Sequence, residues 1–297
     1  MKAYLNGFFE EFDYPAEARA ALNEAYEAVA ENAEAAELLD GILKNYEETR
    51  AIAASDLTPK SEKMAELTGI HHYTVKLLVH ICLSRTLRAY YEEKGLDYSL
   101  YYGAMADLKW KLIECHLVKG VWGTFVSECN WFSRWYDLTR FAIGRLQFEI
   151  IKFNREYERD GKKLDRDSKI INIHIPRTGT PLDHDEVLAA YEGAKKIFAA
   201  DFVGVPMAFT CSSWLLYPEH EKMLHEKSNI RKFMSDFDII ASAVYPETNK
   251  SALWRVFDCP ETTPIEDMPE DSFLKRAYKK HLLEGGNCGY GVGVFFA

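Results

Sequence analysis

A chain of 297 residues, 47% hydrophobic and 28% charged, has the composition of a folded water-soluble protein and is long enough for one large core or two ordinary ones. Its formal net charge of -10 argues against indiscriminate binding to nucleic acid or acidic membrane surfaces, both of which need a basic patch. No apolar run approaches the roughly 20 residues needed to cross a bilayer, and acidic residues interrupt the N-terminal segment MKAYLNGFFEEFDYP before a secretory core can form. The expectation is a cytoplasmic protein.

The first part of the chain reads as helical. Asp13 followed by Pro15 opens an Ala/Glu-rich stretch to about Arg50, with Leu22, Tyr26, Val29, Leu39, Ile42, Leu43 and Tyr46 at helical spacing. Thr58-Pro59 starts a short helix that Gly69 ends. A long one follows from His72 to Lys94, its buried stripe made by Val75, Leu78, Val79, Cys82, Leu83 and Leu87, with Gly95 as terminator. Helical stretches around 100–117 and 131–141 complete this half. The aromatic cluster Trp122, Phe125, Trp131, Phe132, Trp135 and Tyr136 reads first as core between domains and second as an apolar pocket.

Near residue 140 the period changes from helical to two. Gly144 to Phe153 alternates as a strand, placing Arg145, Gln147 and Glu149 on one face. Asp160-Gly161 lies in the polar stretch between this strand and Ile170–Ile175, predicting a long β-hairpin. Further strands are predicted over 207–216, 238–244, 253–257 and 290–296. Helices are predicted over 185–200, 229–237 and 270–283, with Ser228 or Asn229 capping the second and Gly285-Gly286 stopping the third. The pattern divides the chain into a helical domain over 1–140 and a strand-rich domain over 141–297.

Between Ile170 and Asp201 the order is strand, the loop Arg177-Thr178-Gly179-Thr180-Pro181, then helix. Free backbone N–H groups, the positive end of a helix and a basic side chain then converge, an arrangement suited to a phosphate. His174 stands on the strand just before this loop and faces away from Ile173 and Ile175. Imidazole titrates near neutral pH, which suits a general base. The bland alternative is a histidine that anchors the junction of strand and turn.

Gly144-Arg145-Leu146-Gln147-Phe148-Glu149, His174-Ile175-Pro176 with Gly179 and Pro181-Leu182, Cys211-Ser212-Ser213-Trp214-Leu215-Leu216, and Ser228-Asn229-Ile230 before Phe233 resemble a family of two-domain bacterial GNAT-like acyltransferases. The resemblance, which spans nearly the whole chain, implies an α+β fold with an N-terminal helical domain packed on a C-terminal mixed sheet. It implies transfer of an acyl group from a thioester donor, acyl-CoA or an acyl-carrier protein, to an unidentified amine. It also implies two central strands that splay around the donor, whose pyrophosphate would sit on Arg177, Thr178, Gly179 and Thr180. Against the superfamily pattern Gln/Arg-x-x-Gly-x-Gly/Ala, one spacer is missing and Pro181, with no N–H to give, takes a small residue's place. That departure supports an alternative, a non-catalytic module that binds an acyl ligand or a protein.

Three residues are candidates for catalysis. His174 is the base, Glu149 acts directly or through water, and Tyr245 donates a proton to the leaving thiolate, as a tyrosine does in the superfamily. Arg145 and Glu149 could instead pair at the domain joint. A covalent route through Cys211 is a weaker option, since cysteine inside an apolar strand is usually inert. The six cysteines (82, 115, 129, 211, 259 and 288) contain no C-x-x-C pair and read as reduced thiols. His71, His72 and His80 read as packing or surface residues, so no metal is expected.

Overall fold

The structure, a computed structural model, describes residues 1–125, 128–246 and 251–297. The chain forms two compact units, Met1–Ala142 and Ile143–Ala297.

The first unit contains α1 (Lys2–Glu11), α2 (Ala16–Glu31), α3 (Ala33–Thr49), α4 (Ala54–Thr68), α5 (His72–Glu93), α6 (Tyr98–Lys119) and α7 (Glu128–Tyr136). The Ala/Glu-rich helical stretch up to Arg50 forms two helices. Asn32 breaks it, its side chain accepting from the Ala35 N–H as the cap of α3. α5 is the axis of the bundle and packs against α1, α2, α3, α4, α6 and α7. The expected apolar stripe is in fact burial on every side, unbroken from Thr74 to Ser84. Such a helix should be apolar all round, yet it also buries Thr74, Lys76, Ser84 and His80. His80 is fully buried between Phe132 and Tyr136, with ring centroids at 4.4 and 5.6 Å. Among the described residues neither of its ring nitrogens has a hydrogen-bond partner, and burial pulls its pKa down to about 3. Phe132, Trp135 and Tyr136 are likewise fully buried, and the Tyr136 hydroxyl donates to the His80 carbonyl. These three aromatics are core of the helical unit.

β1 (Arg140–Ile143) spans the boundary between the units. The second unit then runs β2 (Leu146–Lys152), β3 (Tyr157–Arg159), β4 (Lys162–Leu164), β5 (Lys169–His174), α8 (His184–Ile197), β6 (Ala208–Ser213), α9 (His220–Met223), α10 (Asn229–Ser235), β7 (Asp238–Val244), α11 (Ser251–Phe257), α12 (Phe273–Leu283) and β8 (Gly289–Phe296). The strand order is β1-β2-β5-β6-β8-β7, with β3 and β4 forming a separate ribbon. β2 and β5 pair antiparallel as the long hairpin requires. The ribbon turns at Asp160-Gly161, both at positive φ. β5 and β6 are parallel, joined through α8. The strand predicted at 253–257 is helix α11, because Leu253, Val256 and Phe257 bury one helical face with Met268 and Tyr278. The strand predicted over 207–216 stops at Ser213, where the Ser213 hydroxyl accepts from the Leu215 N–H and a 3-10 turn begins.

On one face of the sheet Tyr191 of α8 packs against Phe148, Phe209 and Phe295. β8 contributes glycine at alternate positions there. A Cβ on Gly291 would stand 2.1 Å from the Leu216 carbonyl oxygen, and one on Gly293 would stand 2.7 Å from the Phe237 side chain. Gly291→Ala is therefore expected to destabilise the second unit by about 2–3 kcal/mol in chemical denaturation. Gly7→Ala in α1, where a Cβ meets nothing within 4 Å, should stabilise by about 0.5–1 kcal/mol. Equal midpoints for the two variants would contradict this packing.

Candidate active site

β5 and β6 pair only at Ile171↔Phe209 and Asn172↔Thr210. Beyond that point β5 continues to His174 on its outer partner β2, opposite Gln147. β6 continues to Ser213 on its outer partner β8, opposite Gly291. Two parallel neighbours therefore part at their C-terminal ends, each held from outside, and their facing backbone edges no longer pair with each other. This opening lies directly before the turn at Arg177–Thr180.

Strand alternation divides the chemistry between the faces. Phe148, Ile171, Ile173, Phe209 and Cys211 lie on the face covered by α8. Gln147, Glu149, Asn172, His174, Thr210 and Ser212 lie on the other. Away from the fork this second face turns apolar, with Ile151, Ile170, Ala208 and Val294 packed around Phe153 and Leu164. The polar residues are thus collected at the fork.

His174 and Glu149 meet there. His174 Nε2 is 2.6 Å from Glu149 Oε1, and the Asn172 amide nitrogen lies 3.1 Å from the same Nε2. The hairpin register explains the meeting: Glu149 is directly opposite Asn172, and His174 is two residues further along β5 on the same face, opposite Gln147. Glu149 and Gln147 are buried, whereas His174 is half-buried.

Arg145 does not pair with Glu149. It lies in the turn between β1 and β2, where its guanidinium donates to the carbonyl oxygens of Pro176 (2.8 Å) and Pro181 (3.4 Å). Arg145 thus clamps both ends of the candidate phosphate turn, and burial lowers its pKa. Within the turn the Thr178 and Thr180 hydroxyls are 2.9 Å apart and Gly179 takes a positive φ. The Arg177 guanidinium is ion-paired with Asp258, which also lies 3.8 Å from the Lys275 ammonium. α8 starts only at His184. Asp183 caps it by accepting from the N–H groups of Asp185 and Glu186, which place two more carboxylates in the first turn. The positive end of this helix is already matched by its own acids.

Tyr245 follows β7 at the same end of the sheet, where its N–H donates to the Cys288 carbonyl and its ring stacks on Tyr290 at 5.4 Å. β8 stands between β7 and β6, so Tyr245 is roughly 10 Å from the fork strand, two strand spacings away. His174 and Glu149 meet, and the 177–180 turn follows His174 in the chain; Tyr245 lies beyond β8.

Residues 140–295 match the family described as the GNAT-like C-terminal domain, and residues 3–138 match the N-acyltransferase N-terminal domain. The chain belongs to this GNAT-like acyltransferase family. No curated protein matches it. Two solved structures are similar in fold. One is an acyltransferase in complex with decanoyl-CoA and teicoplanin, at 20% identity and a TM-score of 0.72, covering 98% of this chain and 87% of that one. The other is an acyltransferase in complex with decanoyl-CoA, at 18% identity and a TM-score of 0.62, covering 98% of both chains.

In this GNAT-like domain Cys211 is fully buried on the α8 face, opposite to His174, and burial pushes its thiol well up. It can neither reach the histidine nor form a thiolate readily, which removes the covalent route. Cys211→Ser should leave turnover within about twofold of the parent, since a buried structural cysteine takes no part in chemistry. A large loss in a folded variant would reinstate the thiol. Cys82, Cys115, Cys259 and Cys288 form no disulfide among the described residues, while the Cys129 side chain lies outside them. No described helix is long and apolar enough to cross a membrane.

Sequence reasoning missed Asn172 and Thr210 at the fork. The signal was present in Ile170-Ile171-Asn172-Ile173-His174, where two polar residues at period two interrupt an otherwise apolar strand. Ser228 caps α10 as expected, accepting from the Arg231 N–H.

Proposed function

We propose that this protein transfers an acyl group from a coenzyme A thioester to a primary amine, at the fork between β5 and β6. The observation that carries this reading is the His174–Glu149 pair at the mouth of an opening between parallel strands. The donor's extended arm enters the fork and pairs with the strand edges that no longer pair with each other. His174 takes the proton from the attacking amine, and Glu149 holds the ring and balances the imidazolium that forms. The new C–N bond creates a tetrahedral oxyanion, for which backbone N–H groups of the fork are the candidate donors. The C–S bond then breaks and the departing thiolate takes up a proton. Tyr245 is the candidate donor of that proton from across β8.

Arg177, Thr178, Gly179 and Thr180 are the proposed seat of the donor's pyrophosphate, on a turn that Arg145 keeps in shape. Arg177 enters that role from its pair with Asp258, so donor binding exchanges one anionic partner for another. The same pairing supports a second reading, a module that holds an acyl ligand without turnover.

Incubation with acetyl-, octanoyl- and decanoyl-CoA and a panel of primary amines tests both readings, with thiol release and acylated product as readouts. Saturable binding with amine-dependent thiol release is expected. Saturable binding without release favours the module, and no binding of any coenzyme A thioester defeats this donor.

A further inference from the structure

Within the second unit, Arg177 and Lys275 are distant in the chain yet share one carboxylate. The Arg177 guanidinium pairs with Asp258 Oδ1, and the Lys275 ammonium lies 3.8 Å from Asp258 Oδ2. The side chains of Arg177, Asp258 and Lys275 are 29%, 25% and 13% exposed, so water screens them less than it screens a surface pair. Asp258 owes its place to the cations and not to its helix. It is the first residue after α11, at φ 56°, where the negative end of a helix disfavours a carboxylate. The other acid on Lys275 is Asp271, 3.0 Å away and 67% exposed, and an exposed pair of that kind holds weakly. One cation on the loop after His174 and one in the first turn of α12 thus close on a single carboxylate.

We propose that Arg177 and Lys275 form a seat for a phosphate monoester, that Asp258 fills this seat until the donor arrives, and that the protein thereby selects intact coenzyme A by its 3′-phosphate. The proposal deepens the acyl-transfer reading and rests on it for the donor. Charge decides which phosphate takes the seat. A carboxylate presents one negative charge on two oxygens. Each phosphorus of the pyrophosphate likewise carries one, so its exchange with Asp258 gains little. A phosphate monoester carries about 1.5–2 negative charges on three oxygens and holds both cations more strongly. In coenzyme A this group is on the same nucleotide as the pyrophosphate, and a guanidinium with five N–H donors can address both. The Thr178 and Thr180 hydroxyls and the turn amides are left to the pyrophosphate. A pantetheine arm on a carrier protein ends in a phosphodiester, which has no monoester to displace Asp258.

Calorimetric titration of the full chain with coenzyme A and with 3′-dephospho-coenzyme A tests the seat without turnover. The parent should bind coenzyme A about 10-fold more tightly than the dephospho form, the size of one charge-assisted contact. Lys275→Gln should bring that ratio within about threefold and leave the dephospho form bound within about twofold of the parent, because only the monoester needs the ammonium. Lys275→Arg should restore the ratio. Asp258→Asn should widen it by about fivefold, since the competing charge is gone while the side chain keeps its shape. A trio that only tethers the turn would do the opposite: Asp258→Asn would loosen the turn and weaken both ligands alike. That result, or equal binding of the two ligands by the parent, overturns the seat. Amine-dependent thiol release from acetyl-coenzyme A is scored apart. Discrimination without release keeps the seat and sinks acyl transfer, release without discrimination does the reverse, and no binding of either ligand sinks both.

Discussion

His174→Ala is expected to lower kcat for amine acylation by about 10²- to 10⁴-fold, the usual contribution of a positioned general base. Affinity for the thioester should remain nearly unchanged, because the proposed seats of the donor's arm and phosphates are the fork edges and the 177–180 turn. Glu149→Gln keeps an oxygen 2.6 Å from Nε2 but removes the charge that balances the imidazolium. Its expected loss is about 10²-fold, and the double variant should be little worse than His174→Ala, since residues that act as a unit are not additive. Steady-state kinetics with calorimetric binding of the donor checks this split. Loss of donor binding in parallel with activity would mean that the pair builds the pocket without doing the proton transfer.

Acidification is expected to unfold both units, through two buried histidines away from the fork. His80 in the helical unit is drawn down to about 3, and His220 in the sheet unit to about 4, both mainly by burial. Each folded pKa is below the unfolded value near 6.5, so the unfolded chain binds more protons and stability falls as pH drops through 6.5. The loss continues to about pH 4 for His220 and about pH 3 for His80. At pH 5 each neutral ring costs its unit about 2 kcal/mol relative to pH 7.5, at about 1.4 kcal/mol per pH unit.

The two rings differ in what replacement does. His220 is satisfied, with Nε2 2.7 Å from the Tyr278 hydroxyl and Nδ1 3.3 Å from the Leu215 carbonyl. Removing it would strand the Tyr278 hydroxyl, at a cost of about 1–3 kcal/mol. His80 has two buried nitrogens without partners among the described residues. His80→Phe should therefore stabilise the helical unit by about 1–3 kcal/mol at neutral pH, the penalty of an unmet polar group. It should also flatten that unit's stability between pH 6.5 and 4. Thermal scans across pH with separate probes of the two units check this, because one transition need not describe both. An unchanged pH slope in His80→Phe would show that His80 is hydrated or paired when folded.

How much of this was visible beforehand depended on the range of the interaction involved. Helix ends were legible because caps are local. Gly69 and Ser228 act within one turn of where they stand. The helix break at Asn32 was equally local and was overlooked inside an Ala/Glu-rich run that favours helix throughout. Segment 253–257 misled because a short apolar run has no period of its own, and only its contacts with Met268 and Tyr278 select helix.

The candidate site divides along the same line. Residue order alone determined that a strand ending in His174 leads into a glycine turn and a helix, and that this order belongs to the GNAT-like pattern. It could not show that Arg145 clamps the turn, that Arg177 is held by Asp258, or that Glu149 rather than Tyr245 reaches the histidine. The fork is also tertiary: β5 and β6 part because β2 and β8 hold each from outside. Those partners are dozens of residues away in the chain. Side-chain period is written in neighbouring residues, whereas the pairing that brings an acid to a histidine depends on register between distant strands, and only the folded sheet sets it.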